Sequence, residues 1–278
     1  NSFTILSDDA DVGRNKDDFS LQVTLNALGD EIVRQKPLMN ITKIHSDAYK
    51  QVASAGGDRY PDVETALENR LAQGTLVVNY FGHGGEDGFA AERILTVPQV
   101  KGFNNPNSLP LLITVTCDFS RFDNPNRITA GELTLKNATG GAASMITTTR
   151  EVYISTGQRF NEQLIRKLLA FNDENLTISE ALMVTKNQFS SNQKFFIFSF
   201  GDAAMKLAVP KPNIRITKMN DVAVTQSLDT IKALSKVKFE GVVTDESDAV
   251  LTNFNGTLST TVFDKLIDSH NLIVFCLP

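Results

Sequence analysis

The chain of 278 residues is long enough for one large domain or two ordinary ones, and its 41% hydrophobic and 21% charged residues are typical of a globular protein. The formal net charge of −5 and the lack of a Lys/Arg stripe argue against a nucleic-acid partner. The apolar runs are too short to span a bilayer, and the two cysteines form neither a disulfide framework nor a zinc site.

Strand and helix signals alternate along the first 210 residues. Short apolar runs rich in β-branched residues predict strands at 3–6, 41–44, 76–81, 111–116, 142–147 and 195–200. Helical spacing, with proline, glycine and capping signals, predicts helices at 17–36, 61–74, 130–135 and 160–171 and one after the capping box 177–180. The chain opens in a strand and not in a signal peptide, so we expect an internal fragment or a processed product.

This alternation, with strands apolar on both faces, indicates an α/β fold with a mostly parallel sheet covered by helices over residues 1–210. In such sheets, ligands bind beyond the carboxyl ends of the strands. After residue 212 the helical periodicity ends, and short alternating runs begin at 214–216, 237–242 and 258–263. Residues 211–278 are therefore predicted to form a small antiparallel β domain of sandwich type, either complete or truncated.

Two predicted strands end in residues that are able to act together in nucleophilic catalysis. His83 follows the strand at 76–81 inside a glycine-rich turn, and Cys117 directly follows the strand at 111–116. A thiol attacks as the thiolate, so a catalytic cysteine needs a neighbouring base and donors for the developing oxyanion. We predict His83 as that base, and the backbone amides of Gly84 and Cys117 as the donors.

A purely structural interpretation of these residues is also open. In it, Cys117 is a small buried hydrophobic residue and His83 is a turn residue. His45 also follows a strand, but no glycine turn surrounds it, so a surface or hydrogen-bonded role is favoured. Cys276 lies in an apolar run, which favours a core position.

Several charged residues flank the predicted site. Arg93, Arg121 and Arg150 are candidates for holding a substrate carboxylate, and ordinary surface positions are the alternative. Glu86, in the histidine turn, is a further candidate for substrate binding.

An acidic loop with Asp8, Asp9 and Asp11 follows the first strand. Its hard oxygen ligands suit calcium, but the EF-hand pattern is incomplete, so a solvated loop is favoured and no cofactor is required. Because this strand end faces the same edge of the sheet, one of its carboxylates is also a candidate for orienting His83.

The turn at 79–86 resembles the histidine motif of the gingipain-like cysteine peptidases, a caspase-like group. Within that group, further blocks resemble the PorU-type sortases of the type IX secretion system. These blocks lie at 56–61, 91–96, 116–123, 130–132 and 147–153. They are in order over most of residues 3–210, and the region after residue 212 resembles the immunoglobulin-like domain that follows the peptidase domain in these proteins.

The resemblance implies a caspase-like α/β/α sandwich followed by a small immunoglobulin-like β domain. It implies Cys117 as the nucleophile, His83 as its general base or acid, and Asp9, by position, as the residue that orients His83. It implies a sortase on the outer-membrane surface of the cell, which cleaves C-terminal secretion signals from type IX cargo proteins and attaches the new C-terminus to anionic lipopolysaccharide. The implied partners are those cargo proteins, anionic lipopolysaccharide and the other subunits of an outer-membrane attachment complex.

The sequence departs from the family pattern at several positions. Ala203 replaces a proline after Gly201 and Asp202, while Phe81 stands where threonine is commoner, and Asp118 where glutamate is. Family chains are much longer, so we expect this chain to begin partway into the peptidase region. A plain gingipain-like cysteine endopeptidase and a non-catalytic caspase-like docking scaffold are the alternative hypotheses.

Overall fold

The computed structural model describes residues 2–10, 19–172, 174–209, 213–226, 231, 235–245 and 247–255, together with the backbone at 259–260 and 275–276. The chain divides into two compact units, residues 2–208 and residues 209–278. Among the described residues, no helix is both long enough and apolar enough to cross a bilayer.

The first unit contains nine strands and six α-helices within its described residues. The strands are β1 (Ser2–Ser7), β2 (Asn40–His45), β3 (Val77–Phe81), β4 (Gly84–Gly85), β5 (Gly88–Phe89), β6 (Leu95–Thr96), β7 (Leu111–Thr114), β8 (Ser144–Thr148) and β9 (Ile197–Gly201). The helices are α1 (Phe19–Gln35), α2 (Pro61–Gln73), α3 (Val97–Gly102), α4 (Ala130–Lys136), α5 (Ile154–Leu168) and α6 (Ile178–Asn187).

Six of these strands form one sheet in the order β2-β1-β3-β7-β8-β9. All neighbours in it are parallel except β8 and β9, which are antiparallel. The predicted mostly parallel α/β sheet is therefore confirmed. Three short strands form a separate small sheet in the order β4-β5-β6, which immediately follows β3 in the chain.

Alternate residues of the central strands face two different helical layers, as the period of a β-strand requires. Leu6, Tyr80 and Leu112 belong to a buried cluster that also includes the apolar face of α2. The other face of the sheet lies against α1 and α5, where Gly29 approaches Ile5 and Gly157 approaches Phe81. Strands with both faces buried explain the nearly continuous apolar runs of the sequence.

Local signals fix several helix ends. The predicted capping box is present at Thr177 and Glu180, and a second one, which the sequence analysis did not identify, begins α4 at Thr129. In α2, Pro61 occupies the first turn, and Gly74 caps the carboxyl end with φ of 90°. The predicted start of α1 at residue 17 lies outside the described residues.

The second unit contains a three-stranded antiparallel sheet in the order β11-β10-β12. Its strands are β10 (Asn213–Met219), β11 (Val222–Ala223) and β12 (Phe239–Thr244), and a separate pair joins β13 (Ser259–Thr260) to β14 (Phe275–Cys276). The antiparallel pattern agrees with the predicted strands at 214–216 and 237–242. The immunoglobulin-like sandwich stays a prediction, since most of the predicted strand at 258–263 lies outside the described residues.

Candidate active site

The strand order brings three chain segments to one edge of the sheet. Strand β3 lies between β1 and β7, and all three run in the same direction. Asp8 follows β1, His83 follows β3 and Cys117 follows β7. The histidine segment therefore lies between the acidic segment and the cysteine segment, where ligands bind in open α/β sheets.

The segments that carry His83 and Cys117 are in direct contact. Thr116 Oγ1 donates a hydrogen bond of 2.6 Å to the carbonyl oxygen of Gly82, so the residue before the cysteine binds the residue before the histidine. On the other side of His83, a Cβ on Gly84 would lie 2.7 Å from Thr116 Oγ1 and 2.9 Å from its methyl carbon. This close packing requires glycine at position 84 and fixes the two segments against each other.

The backbone of His83 is held on both sides, and its side chain is exposed. The His83 amide donates to Asp8 Oδ2 over 2.8 Å. The His83 carbonyl accepts hydrogen bonds from the Tyr80 hydroxyl over 2.5 Å and from the Ala90 amide over 2.9 Å. These partners fix the position from which the imidazole extends.

Cys117 is half-buried, and its thiol donates a weak hydrogen bond to the carbonyl oxygen of Val152 over 3.9 Å. Burial raises the pKa of the Cys117 thiol, the Val152 carbonyl opposes that rise, and the nearby carboxylates of Glu151 and Asp118 add to it. The resting thiol is therefore neutral at physiological pH and needs a base before it can attack.

A sharp turn follows the cysteine. Asp118 adopts φ of 51°, in the left-handed region that aspartate tolerates better than most side chains. Within the described part of the chain, no acceptor pairs with the backbone N–H of Cys117. The two predicted oxyanion donors, at Gly84 and Cys117, thus lie on segments that touch through Thr116, and their role stays a prediction.

Three carboxylates cluster behind the histidine. One oxygen from each of Asp8, Asp9 and Glu92 lies within 4.8 Å of the others, and all three residues are buried. Burial raises the pKa of Asp8 to about 7, the His83 amide opposes the rise, and the neighbouring Asp9 adds to it. Asp9 accepts a hydrogen bond from the Tyr60 hydroxyl over 3.0 Å.

Asp8 accepts a hydrogen bond from the backbone amide of His83, a contact that was not predicted, and the predicted role of Asp9 in orienting the His83 imidazole stays a prediction. The oxygen donors suit a hard cation such as calcium, which normally takes six to eight of them, and a cation there would offset the charge of buried carboxylates. Asp11, the third predicted ligand, lies outside the described residues, and calcium binding stays a prediction.

Glu86 joins the histidine turn to the loop after the cysteine. Its carboxylate accepts from Asn124 over 2.9 and 3.0 Å and lies 3.5 Å from Arg121 and 3.2 Å from Arg127. The Glu86 side chain is only 14% exposed. Glu86 and Arg121 are thus paired with each other in this structure, and their predicted role in binding substrate stays a prediction.

The other two candidate arginines lie in different surroundings. Arg150 forms a two-pronged pair with Asp123, donating from Nη1 over 3.0 Å and from Nη2 at shorter range. Arg93 is exposed and adopts φ of 58°, and within the described residues its guanidinium has no carboxylate partner.

Sequence reasoning missed the residues that arrange this site through their backbone contacts. Asp8 was grouped with its neighbours as a loop carboxylate, and Thr116 was treated only as the last residue of a strand. A signal was present for Thr116, since a hydroxyl directly before the cysteine is able to form a hydrogen bond with the end of the neighbouring strand. Glu92 is distant in sequence from Asp8, so no spacing pattern could connect them.

The fold and the comparisons define the class of protein, an α/β chain of a cysteine peptidase family. The model of peptidase family C25 matches residues 1–208, and the chain belongs to that family. No curated protein sequence matches the chain.

The solved structures that resemble this chain include two of gingipain R. The Arg-specific cysteine proteinase gingipain R (RgpB) is 15% identical with a TM-score of 0.58, and the match covers 77% of this chain and 50% of that chain. The complex of Porphyromonas gingivalis RgpB pro- and mature domains is 14% identical with a TM-score of 0.55, covering 77% and 51%. A structure described only as a protease is 15% identical with a TM-score of 0.53, covering 93% and 62%.

At these identities, the likeness shows the fold alone, which is the gingipain-like α/β fold expected from the resemblance. The chain spans about half the length of the two gingipain structures that it matches.

Proposed function

We propose that Cys117 is the nucleophile and His83 the general base and acid of a peptide acyl-transfer reaction. The observation that carries this proposal is the hydrogen bond from Thr116 to Gly82, because it joins the segment of the nucleophile to the segment of the base. Membership of a cysteine peptidase family supports the same assignment.

In the first half of the reaction, His83 takes the proton of the Cys117 thiol, and the thiolate sulfur bonds to the carbonyl carbon of the scissile peptide bond. The backbone amides of Gly84 and Cys117 donate to the oxyanion of the tetrahedral intermediate. The carbon–nitrogen bond then breaks, His83 returns the proton to the leaving amine, and a thioester on Cys117 remains.

In the second half, an amine or a water molecule attacks the thioester carbonyl and gives its proton to His83. The carbon–sulfur bond breaks and Cys117 recovers its proton, so the product is a new amide or a free carboxylic acid. We propose the amide, which makes the enzyme a sortase, and plain hydrolysis by a cysteine endopeptidase is the second candidate.

The proposed biological setting follows from the sequence blocks that resemble type IX sortases. In it, the enzyme acts on the outer-membrane surface and removes the C-terminal secretion signals of cargo proteins. It attaches the new C-terminus to an amine of anionic lipopolysaccharide and works with other subunits of an attachment complex.

Mass spectrometry of a peptide pool incubated with the full-length protein tests this function. The wild type is expected to cleave peptides, the Cys117→Ala variant to cleave none and His83→Ala to cleave very few. Adding a small primary amine separates the two candidates, because transfer yields an amide of that amine and hydrolysis yields only the acid. Full cleavage by Cys117→Ala would overturn the mechanism.

A further inference from the structure

A cleft of about 450 Å³ lies beside the histidine turn. It is lined by the hairpin of β4 and β5, including Gly85, Glu86 and Ala90, and by Leu95 of β6 and Pro98 in the first turn of α3. This volume is within the range of ordinary ligand pockets. None of the residues assigned to the proposed reaction lines this cleft.

The cleft is directly connected to His83. The amide of Ala90, which lines the cleft, donates to the His83 carbonyl oxygen over 2.9 Å. Gly85, two residues after His83, is the first residue of the turn that lines the cleft. A Cβ added to Gly85 would have no atom within 4 Å, so the space beside this residue is open. The cleft therefore begins two residues beyond His83 in the histidine turn, and neither His83 nor Cys117 is part of its lining.

The chemistry of acyl transfer assigns different substrate halves to these two sides. The acyl half becomes bonded to Cys117, whereas the leaving half begins with the nitrogen that receives its proton from His83. A group that receives a proton must lie within hydrogen-bond reach of the donor. The leaving half of the peptide therefore starts next to the histidine turn, where the cleft opens.

The charges around the cleft favour an acidic occupant. Glu86 and Asp87 also line it, but two arginines outside the lining offset their charge, since Arg127 pairs with both carboxylates and Arg121 pairs with Glu86. Arg93 is the exposed arginine of the lining, and within the described residues no carboxylate neutralises it. The left-handed backbone of Arg93 and of Ala90 carries a conformational cost, and such costs cluster at functional sites.

We propose that this cleft binds the peptide segment on the leaving-group side of the scissile bond, and that Arg93 binds a carboxylate of that segment. The proposal rests on the proposed acyl-transfer function, and it assigns a substrate class to it: peptides with an aspartate or glutamate shortly after the cleaved bond.

The test compares cleavage profiles of one peptide pool by the full-length wild type and three variants. Arg93→Asn removes the charge and suits a left-handed backbone, because asparagine adopts that region readily. Arg93→Lys keeps the charge. Arg34→Asn is the matched control, since Arg34 is an exposed arginine near the end of α1 and away from the cleft lining.

We expect Arg93→Asn to slow cleavage of bonds followed by an acidic residue about twofold to fivefold relative to other bonds, since an exposed ion pair contributes at most about that factor. The acyl-side preferences should not change, Arg93→Lys should retain part of the acidic preference because it keeps the charge, and Arg34→Asn should match the wild type. An unchanged acidic preference in Arg93→Asn would overturn the cleft assignment alone. A pool without any Cys117-dependent cleavage would overturn the proposed function, and the cleft assignment with it.

Discussion

The hydroxyl of Thr116 donates a 2.6 Å hydrogen bond to the carbonyl oxygen of Gly82, so the segment that follows β7 binds the segment that follows β3. Thr116 is 2% exposed, and its neighbour in sequence is the proposed nucleophile, Cys117. Because Gly82 precedes His83, this bond is a direct link between the backbones of the two proposed catalytic residues, in addition to the pairing of β3 with β7.

Thr116→Val is expected to reduce activity while keeping the fold. Valine preserves the shape of threonine but cannot donate to Gly82, so the unfolding free energy should fall by about 1 kcal/mol. Misplacement of the two segments should lower kcat/KM about tenfold or more. Peptide cleavage kinetics and thermal unfolding check both effects. Thr116→Ser keeps the donor and should retain most of the activity, and equal losses in the two variants would contradict a positioning role.

Gly84→Ala and Gly85→Ala form a matched pair in adjacent positions. The added Cβ at position 84 would lie 2.7 Å from Thr116 Oγ1 and 3.2 Å from the Gly88 carbonyl, whereas the one at position 85 would meet nothing within 4 Å. We expect Gly84→Ala to lower the Tm and the rate of Cys117 alkylation, and Gly85→Ala to leave the Tm unchanged. Equal Tm losses in both variants would show that the contact with Thr116 does not constrain position 84.

The sequence was sufficient for the parallel sheet and for the placement of His83 and Cys117 at strand ends, because apolar runs and glycine turns are local signals. The antiparallel direction of β9 could not be predicted, because an apolar strand has the same sequence pattern in parallel and in antiparallel pairs. The contact from Asp8 to the His83 amide depends on the order β1-β3-β7, which no local pattern encodes. For the same reason, the pairing of Glu86 with Arg121 became visible only in three dimensions.

The reactivity of Cys117 should respond to the carboxylate of Glu151. Burial and the nearby Glu151 and Asp118 raise the pKa of the thiol, so the thiolate fraction increases only as the pH rises above the range of an ordinary cysteine. Glu151→Gln removes one negative charge and should lower that pKa, which raises the rate of iodoacetamide alkylation near neutral pH about twofold. Glu68→Gln, an exposed residue of α2, is the control, and an unchanged rate in Glu151→Gln would contradict the electrostatic account.

Asp8 should make the folded protein less stable as the pH rises. Burial raises its pKa from 3.8 to about 7, so folding takes up a proton between these values, and stability present at low pH is lost as the pH increases through this window. Asp8→Asn keeps an acceptor for the His83 amide and carries no charge. Its Tm relative to the wild type should therefore rise between about pH 4 and about pH 8.

Thermal unfolding across that range provides the measurement. Asp58→Asn, which alters an exposed aspartate, should follow the wild type at every pH. A constant Tm difference between Asp8→Asn and the wild type would show that the carboxylate of Asp8 does not change its proton binding on folding.

The most direct test of a Cys117–His83 site is covalent labelling of the protein with a peptidyl electrophile, followed by peptide mapping in a mass spectrometer. The chain contains two cysteines, so Cys276 serves as an internal control. We predict one adduct, on Cys117, that is absent in Cys117→Ala and forms much more slowly in His83→Ala. Absence of labelling at Cys117, or equal labelling of Cys117 and Cys276, would contradict it and favour a non-catalytic docking scaffold.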